Sequence, residues 1–138
     1  MSRTVLVVDD EPDILLAARL MLEAIGCKVI EATSGEEALA LAEARSADVE
    51  AVFLDLRMPG LDGWAVLQEL RVKEIVSWPV IVLSAYCDPI AVAQTVELGA
   101  AGYLSKPFRS ADLTHALEAV FEPMSDPNRA LEDSVGAQ

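Results

Sequence analysis

Three uninterrupted apolar runs, Val5-Leu6-Val7-Val8, Val52-Phe53-Leu54 and Val80-Ile81-Val82-Leu83, leave this chain few folds to choose from. A strand that is apolar at every position has no side to show to water and needs cover on both faces. Between the runs the apolar spacing changes to the helical period, so strand and helix alternate five times. That alternation predicts an α/β parallel sheet with helices on both faces.

The strands are expected over Thr4–Val8, Lys28–Ala32, roughly 49–54, the run beginning at Val80, and Gly102–Ser105. The first helix starts near Glu11-Pro12, with Pro at a tolerated first-turn position. Ile14, Leu15, Ala18, Leu22 and Ile25 form its inner stripe, and Gly26 stops it. Thr33 or Ser34 caps the second helix, which carries Glu36 and Glu37 in its first turn and runs to about Arg45. Turn signals at Met58-Pro59-Gly60 and Asp62-Gly63 precede the third, with Val66, Leu67 and Leu70 inward. Asp88-Pro89 opens the fourth, which ends at Gly99. The fifth follows Ser110 and gathers Leu113, Leu117, Val120 and Phe121 on one face. Residues 122–138 hold Pro123 and Pro127 and no sustained stripe, and read as an acidic tail or linker beyond a domain spanning 1–121.

With 138 residues, 53% of them hydrophobic, the chain is long enough for one complete core. No apolar stretch is long enough to span a bilayer, and the N-terminus leads straight into a strand, so a cytoplasmic location is expected. A net charge of −13 repels nucleic acid, so direct DNA binding is not expected. Cys27, Cys87 and His115 lack the number and spacing of a zinc site. Cys27 and Cys87 read as small buried or half-buried thiols, His115 as a solvent-facing helix residue, and Trp64 and Trp78 as packing or partly exposed aromatics.

Four of the five strands run into a polar residue whose chemistry complements the others. Asp9-Asp10 follows the first, Asp55 the third, Ser84 the fourth, and Lys106-Pro107 the fifth. In a parallel sheet all of these meet at the carboxyl edge, where ligands of open α/β sheets bind. Two bare carboxylates about 4 Å apart repel by roughly 4 kcal/mol at a near-surface dielectric. A divalent cation would offset that cost, and Mg²⁺, a hard ion that takes one or two carboxylates, water and phosphate oxygens, suits the set. Asp55 is the natural nucleophile, because a carboxylate can attack a phosphoryl group to form an acyl phosphate. Lys106 and Ser84 would neutralise and hydrogen-bond the phosphoryl oxygens.

With these residues assembled, the chain resembles the receiver domain of two-component response regulators. The resemblance is carried by Asp9-Asp10, by Asp55 within Leu54-Asp55-Leu56-Arg57-Met58-Pro59-Gly60-Leu61-Asp62-Gly63, by Ser84-Ala85, by Gly99-Ala100 with Gly102-Tyr103-Leu104, and by Lys106-Pro107-Phe108. It covers about residues 3–121. It implies a flavodoxin-like, doubly wound sheet of strand order 2-1-3-4-5. It also implies Asp55 as phosphoacceptor, with Mg²⁺ held by Asp10 and Asp55, by the backbone carbonyl of Arg57, and by Asp9 through water. Lys106 would bridge to the phosphoryl group across a cis peptide to Pro107, and Ser84 with Tyr103 would form the switch. Arg57 and Tyr86 occupy positions that vary in the family and would tune dephosphorylation. The donor would be a sensor histidine kinase or a histidine phosphotransfer protein. The output would be a downstream protein or an output domain on a longer chain, with phosphorylation-dependent homodimerisation through the helix 4–strand 5–helix 5 face as a further expectation.

Other functions fit less well. A haloacid-dehalogenase-type phosphatase would want an acid two residues after its nucleophile, where Arg57 stands. An FMN-binding flavodoxin would want a hydroxyl- or glycine-rich loop where Asp9-Asp10-Glu11 repels phosphate. No P-loop is present. A binding module working without phosphate leaves the acidic set unexplained.

Overall fold

The computed structural model describes residues 3–73, 78–85 and 89–121. Along the chain run β1 (Thr4–Val8), α1 (Pro12–Ala24), β2 (Lys28–Ala32), α2 (Gly35–Arg45), β3 (Ala51–Asp55), α3 (Gly63–Lys73), β4 (Val80–Ser84), α4 (Pro89–Glu97), β5 (Gly102–Ser105) and α5 (Ser110–Phe121). All four pairings are parallel, and the strand order is β2-β1-β3-β4-β5, as the resemblance implied.

The apolar strands divide their side chains between two cores because successive residues point to opposite faces. Leu6, Val8, Val52, Leu54 and Val82 pack with Ala38 and Ala42 of α2 and Val66, Leu67 and Leu70 of α3. Val5, Val7, Phe53, Ile81 and Leu83 pack with Leu15, Ala18 and Leu22 of α1 and Leu113 and Leu117 of α5. β3 and β4 are buried along their whole length, as continuous apolar runs require.

Three details differ from the sequence expectation. β3 starts at Ala51 rather than 49 and extends through Asp55, which joins the ladder opposite Leu83. Val49 is buried but lies before the strand, so its apolar character reflects packing, not pairing. Ile25 does not join the inner stripe of α1. It is the C-cap residue, 45% exposed, where the chain turns through Gly26 at φ +94°. α4 ends at Glu97, two residues before Gly99, whose φ of +96° reverses the chain. Ser34, not Thr33, caps α2 by accepting from the Glu37 N–H at 3.1 Å.

Arg71 of α3 donates to the carbonyl of Glu97 and so caps the last turn of α4, at the edge of the sheet opposite the acidic residues. Arg71→Ala is expected to lower stability by about 1 kcal/mol, read as a lower urea midpoint.

Cys27 is half-buried, with its thiol pushed up by burial. His115 is exposed, and Trp64 and Trp78 pack against the α2–α3 core. Tyr86, Cys87, Asp88 and the segment 122–138 lie outside the described residues. Among the described residues no helix is long and apolar enough to cross a membrane.

Candidate functional site

Parallel strands bring every C-terminal end to one edge. Asp9 follows β1 directly, Asp55 and Ser84 are the last residues of β3 and β4, and Lys106 follows β5. The fold thereby closes a gap of 97 residues. The Lys106 Nζ lies 2.7 Å from Asp9 Oδ2, 3.4 Å from Asp55 Oδ1 and 3.7 Å from Glu11 Oε1. The lysine is itself anchored. Its backbone N–H donates to the Ser84 carbonyl at 2.8 Å, and its bond to Pro107 is cis, as the resemblance implied.

Asp9 is fully buried and fully engaged. Its Oδ1 accepts from the Glu11 N–H at 2.9 Å, while its own N–H donates to the Ala32 carbonyl at 3.1 Å. Asp55 is 3% exposed, and its Oδ1 also accepts from the Arg57 N–H at 3.2 Å. The loop after Asp55 folds back on itself. The Gly63 N–H donates to the Leu56 carbonyl at 3.1 Å, and a Cβ on Gly63 would sit 2.1 Å from the Asp55 carbonyl oxygen. Only glycine fits there, because no real side chain tolerates that approach. Asp62 then caps α3 by accepting from the Ala65 N–H at 3.0 Å.

Asp9, Asp10, Glu11 and Asp55 each offer a carboxylate oxygen, and these oxygens lie within 4.8 Å of one another. Three of these acids stand out in the sequence as a cation site. Glu11 does not, because at the start of α1 it reads as a helix-terminus residue. The Asp-Asp-Glu run was the available signal. One ammonium cannot balance four carboxylates. Burial, and then the charge of Asp9, push the Asp55 carboxyl up to about 6, against the opposing pull of Lys106 and the Arg57 N–H. Burial works to lower the Lys106 pKa, but its hydrogen bond to Asp9 and the charges of Asp9, Asp55 and Glu11 outweigh that and leave it raised. A compact set of hard oxygen donors with excess negative charge fits a divalent cation of the Mg²⁺ type.

Ser84 is buried, and Tyr103 is half-buried on the neighbouring strand, opposite Val82. Ser84 and Val82 are two residues apart, so Ser84 and Tyr103 fall on the same face of the sheet, the face that packs on α2 and α3. Tyr103 is not at the acidic edge itself. Arg57 is exposed and contributes its N–H to Asp55.

Comparison with known proteins agrees with this geometry. The profile of the response regulator receiver domain matches residues 5–118. The alkaline phosphatase synthesis transcriptional regulatory protein PhoP of Bacillus subtilis is 36% identical over 120 residues, covering 87% of this chain and 49% of that protein. The transcriptional regulatory protein KdpE of Mycobacterium tuberculosis is 45% identical over 107 residues, covering 75% of this chain and 44% of its own length. The chain thus spans about half the length of the curated relatives it matches. Among solved structures, chemotaxis protein CheY4 of Vibrio cholerae superposes with a TM-score of 0.81 at 29% identity, covering 88% of this chain and all of that one. A structure of the CheX–CheY–BeF3–Mg²⁺ complex from Borrelia burgdorferi gives 0.82 at 27% identity, covering 86% and 89%. Sheet order, acidic edge and profile agree, and the chain belongs to the response regulator receiver domain family, the phosphorylation-controlled component of two-component signalling.

Proposed function

We propose that Asp55 accepts a phosphoryl group from a phosphohistidine on a sensor kinase or phosphotransfer protein, and that this modification switches the chain's contacts with a downstream protein or output domain. The observation that carries this is the placement of the Lys106 ammonium between Asp9 and Asp55, at 2.7 and 3.4 Å. A lysine so held lies where a phosphoryl group on Asp55 would present its oxygens.

In the proposed step an Asp55 oxygen bonds to phosphorus as the phosphorus–nitrogen bond of the donor breaks, and the imidazole leaves with its electron pair. Ionised Asp55 is the reactive form, and with a carboxyl near 6 it predominates above that pH. Lys106 neutralises one phosphoryl oxygen and Ser84 donates to another. Asp9, Asp10, Asp55 and the Arg57 carbonyl would hold Mg²⁺, with Glu11 adding to the field. When bound, the ion neutralises charge on the carboxylates and on the transferring group. Phosphorylation adds roughly two negative charges. The pull on Ser84 then frees room for Tyr103 to turn inward, changing the α4–β5–α5 face and promoting homodimerisation there. Receivers are signalling switches rather than metabolic enzymes, so slow self-hydrolysis is the only turnover expected.

Incubating the chain with Mg²⁺ and a small acyl phosphate tests this. A mass gain of one phosphoryl group, abolished by a chelator, is expected; no gain would overturn the proposal. Sustained turnover of unrelated phosphomonoesters would favour a phosphatase instead. Ser84→Ala is expected to slow uptake about tenfold, the loss of one charge-assisted hydrogen bond. It should also abolish the change in the Tyr103 NMR signals on phosphorylation.

A further inference from the structure

We infer that the first turn of α2, remote in sequence from every acid of the site, is a positioning element for both halves of the acidic pocket; the inference rests on the proposed cation and phosphoryl site. The β2–α2 junction touches the pocket from two directions. On one side the Ala32 carbonyl accepts from the Asp9 N–H at 3.1 Å. On the other side Gly35 lies directly under the loop that follows Asp55. A Cβ on Gly35 would sit 2.2 Å from the Leu61 carbonyl oxygen and 2.8 Å from Val66 Cγ2. Just beyond, a Cβ on Gly60 would sit 3.3 Å from Glu36 Oε2. The first turn of α2 thus braces two successive residues of the loop, Gly60 and Leu61.

A brace works only if it is stiff. The Ser34 hydroxyl accepts from the Glu37 N–H at 3.1 Å, and the Glu37 carboxylate accepts from the Thr33 N–H at 2.6 Å. These reciprocal bonds hold the turn to one geometry. The loop transmits the constraint onward. Leu61 leads to Gly63, whose N–H donates to the Leu56 carbonyl and where any Cβ would run into the Asp55 carbonyl oxygen. A displacement at Leu61 therefore moves the backbone that carries Asp55 and the Arg57 carbonyl. The glycine at position 35 is required by the loop as much as by the helix it begins.

Three variants separate positioning from simple stability. Gly35→Ala pushes on Leu61. Ser34→Ala loosens the turn without adding bulk and serves if Gly35→Ala does not fold. Ala42→Gly weakens α2 from a fully buried site that faces the core and not the loop. Calorimetric titration with Mg²⁺ alone is expected to show about tenfold weaker binding for Gly35→Ala and a smaller loss for Ser34→Ala, with Ala42→Gly equal to wild type. In the metal-free protein, hydrogen exchange at the Gly63 amide should accelerate in the first two variants and not in the third. Equal behaviour of all three, in Mg²⁺ affinity and in Gly63 exchange, would overturn the inference. If wild type binds no Mg²⁺, the proposed site fails, and the exchange data alone decide whether α2 positions the loop.

Discussion

Asp55→Asn is expected to gain no phosphoryl group under conditions in which wild type gains one, because an amide is not a nucleophile toward phosphorus at neutral pH. The same variant is expected to be more stable than wild type when Mg²⁺ is absent. Burial and Asp9 raise the Asp55 carboxyl from 3.8 to about 6 in the folded chain. Between those values the native state keeps a proton that the unfolded state has released. Stability therefore falls as pH rises through this window, and the loss is complete above the folded value. That displacement of the carboxyl corresponds to roughly 3 kcal/mol. Asparagine mimics the protonated carboxyl and does not titrate. The stability difference between variant and wild type should be near zero below pH 4 and about 3 kcal/mol at pH 7–8. Millimolar Mg²⁺ should shrink it by stabilising wild type selectively. Urea denaturation at a series of pH values measures it, and superimposable profiles would show that the buried charge is not a liability.

Lys106→Met is expected to act in the opposite direction, lowering stability by about 3 kcal/mol at pH 8 without Mg²⁺. The ammonium is 2.7 Å from a fully buried carboxylate and 3.4 Å from a second one that is nearly so. Methionine fills similar space but, among the described residues, leaves Asp9 and Asp55 with only the N–H groups of Glu11 and Arg57. Without the lysine the Asp55 carboxyl moves further up, so the destabilisation grows as pH rises through it and fades in acid. Pairing the two substitutions tests the coupling. Lys106→Met should cost less in the Asp55→Asn background, because one of the charges it strands is gone. Equal costs in both backgrounds would place the lysine's role with Asp9 alone.

The sheet was readable because its signal is local and redundant. Apolar runs at β1, β3 and β4 could not face water, and helical stripes between them could not be strands. Asp9, Asp55, Ser84 and Lys106 were readable because each abuts the end of such a run, and parallel strands share one edge. Element ends were less clear. Val49 and Ile25 are apolar for reasons that periodicity cannot separate, the first buried outside its strand and the second exposed at a helix cap. Glu11 reads as a helix-terminus residue, and the distances to Lys106 and to the other carboxylates show it belongs with the acids.

By itself the order of residues determined the fold class, the edge where the chemistry lies and the residue types present there, since burial demand and strand direction follow from pattern alone. The tertiary structure decided how far the charges stand apart, that Asp9 rather than Asp55 takes the shorter contact with Lys106, and that Gly35 meets Leu61 across a gap no side chain could enter. Those outcomes depend on how helices seat on the sheet. Side-chain volumes summed over the whole core set that seating, and no local stretch of sequence encodes it.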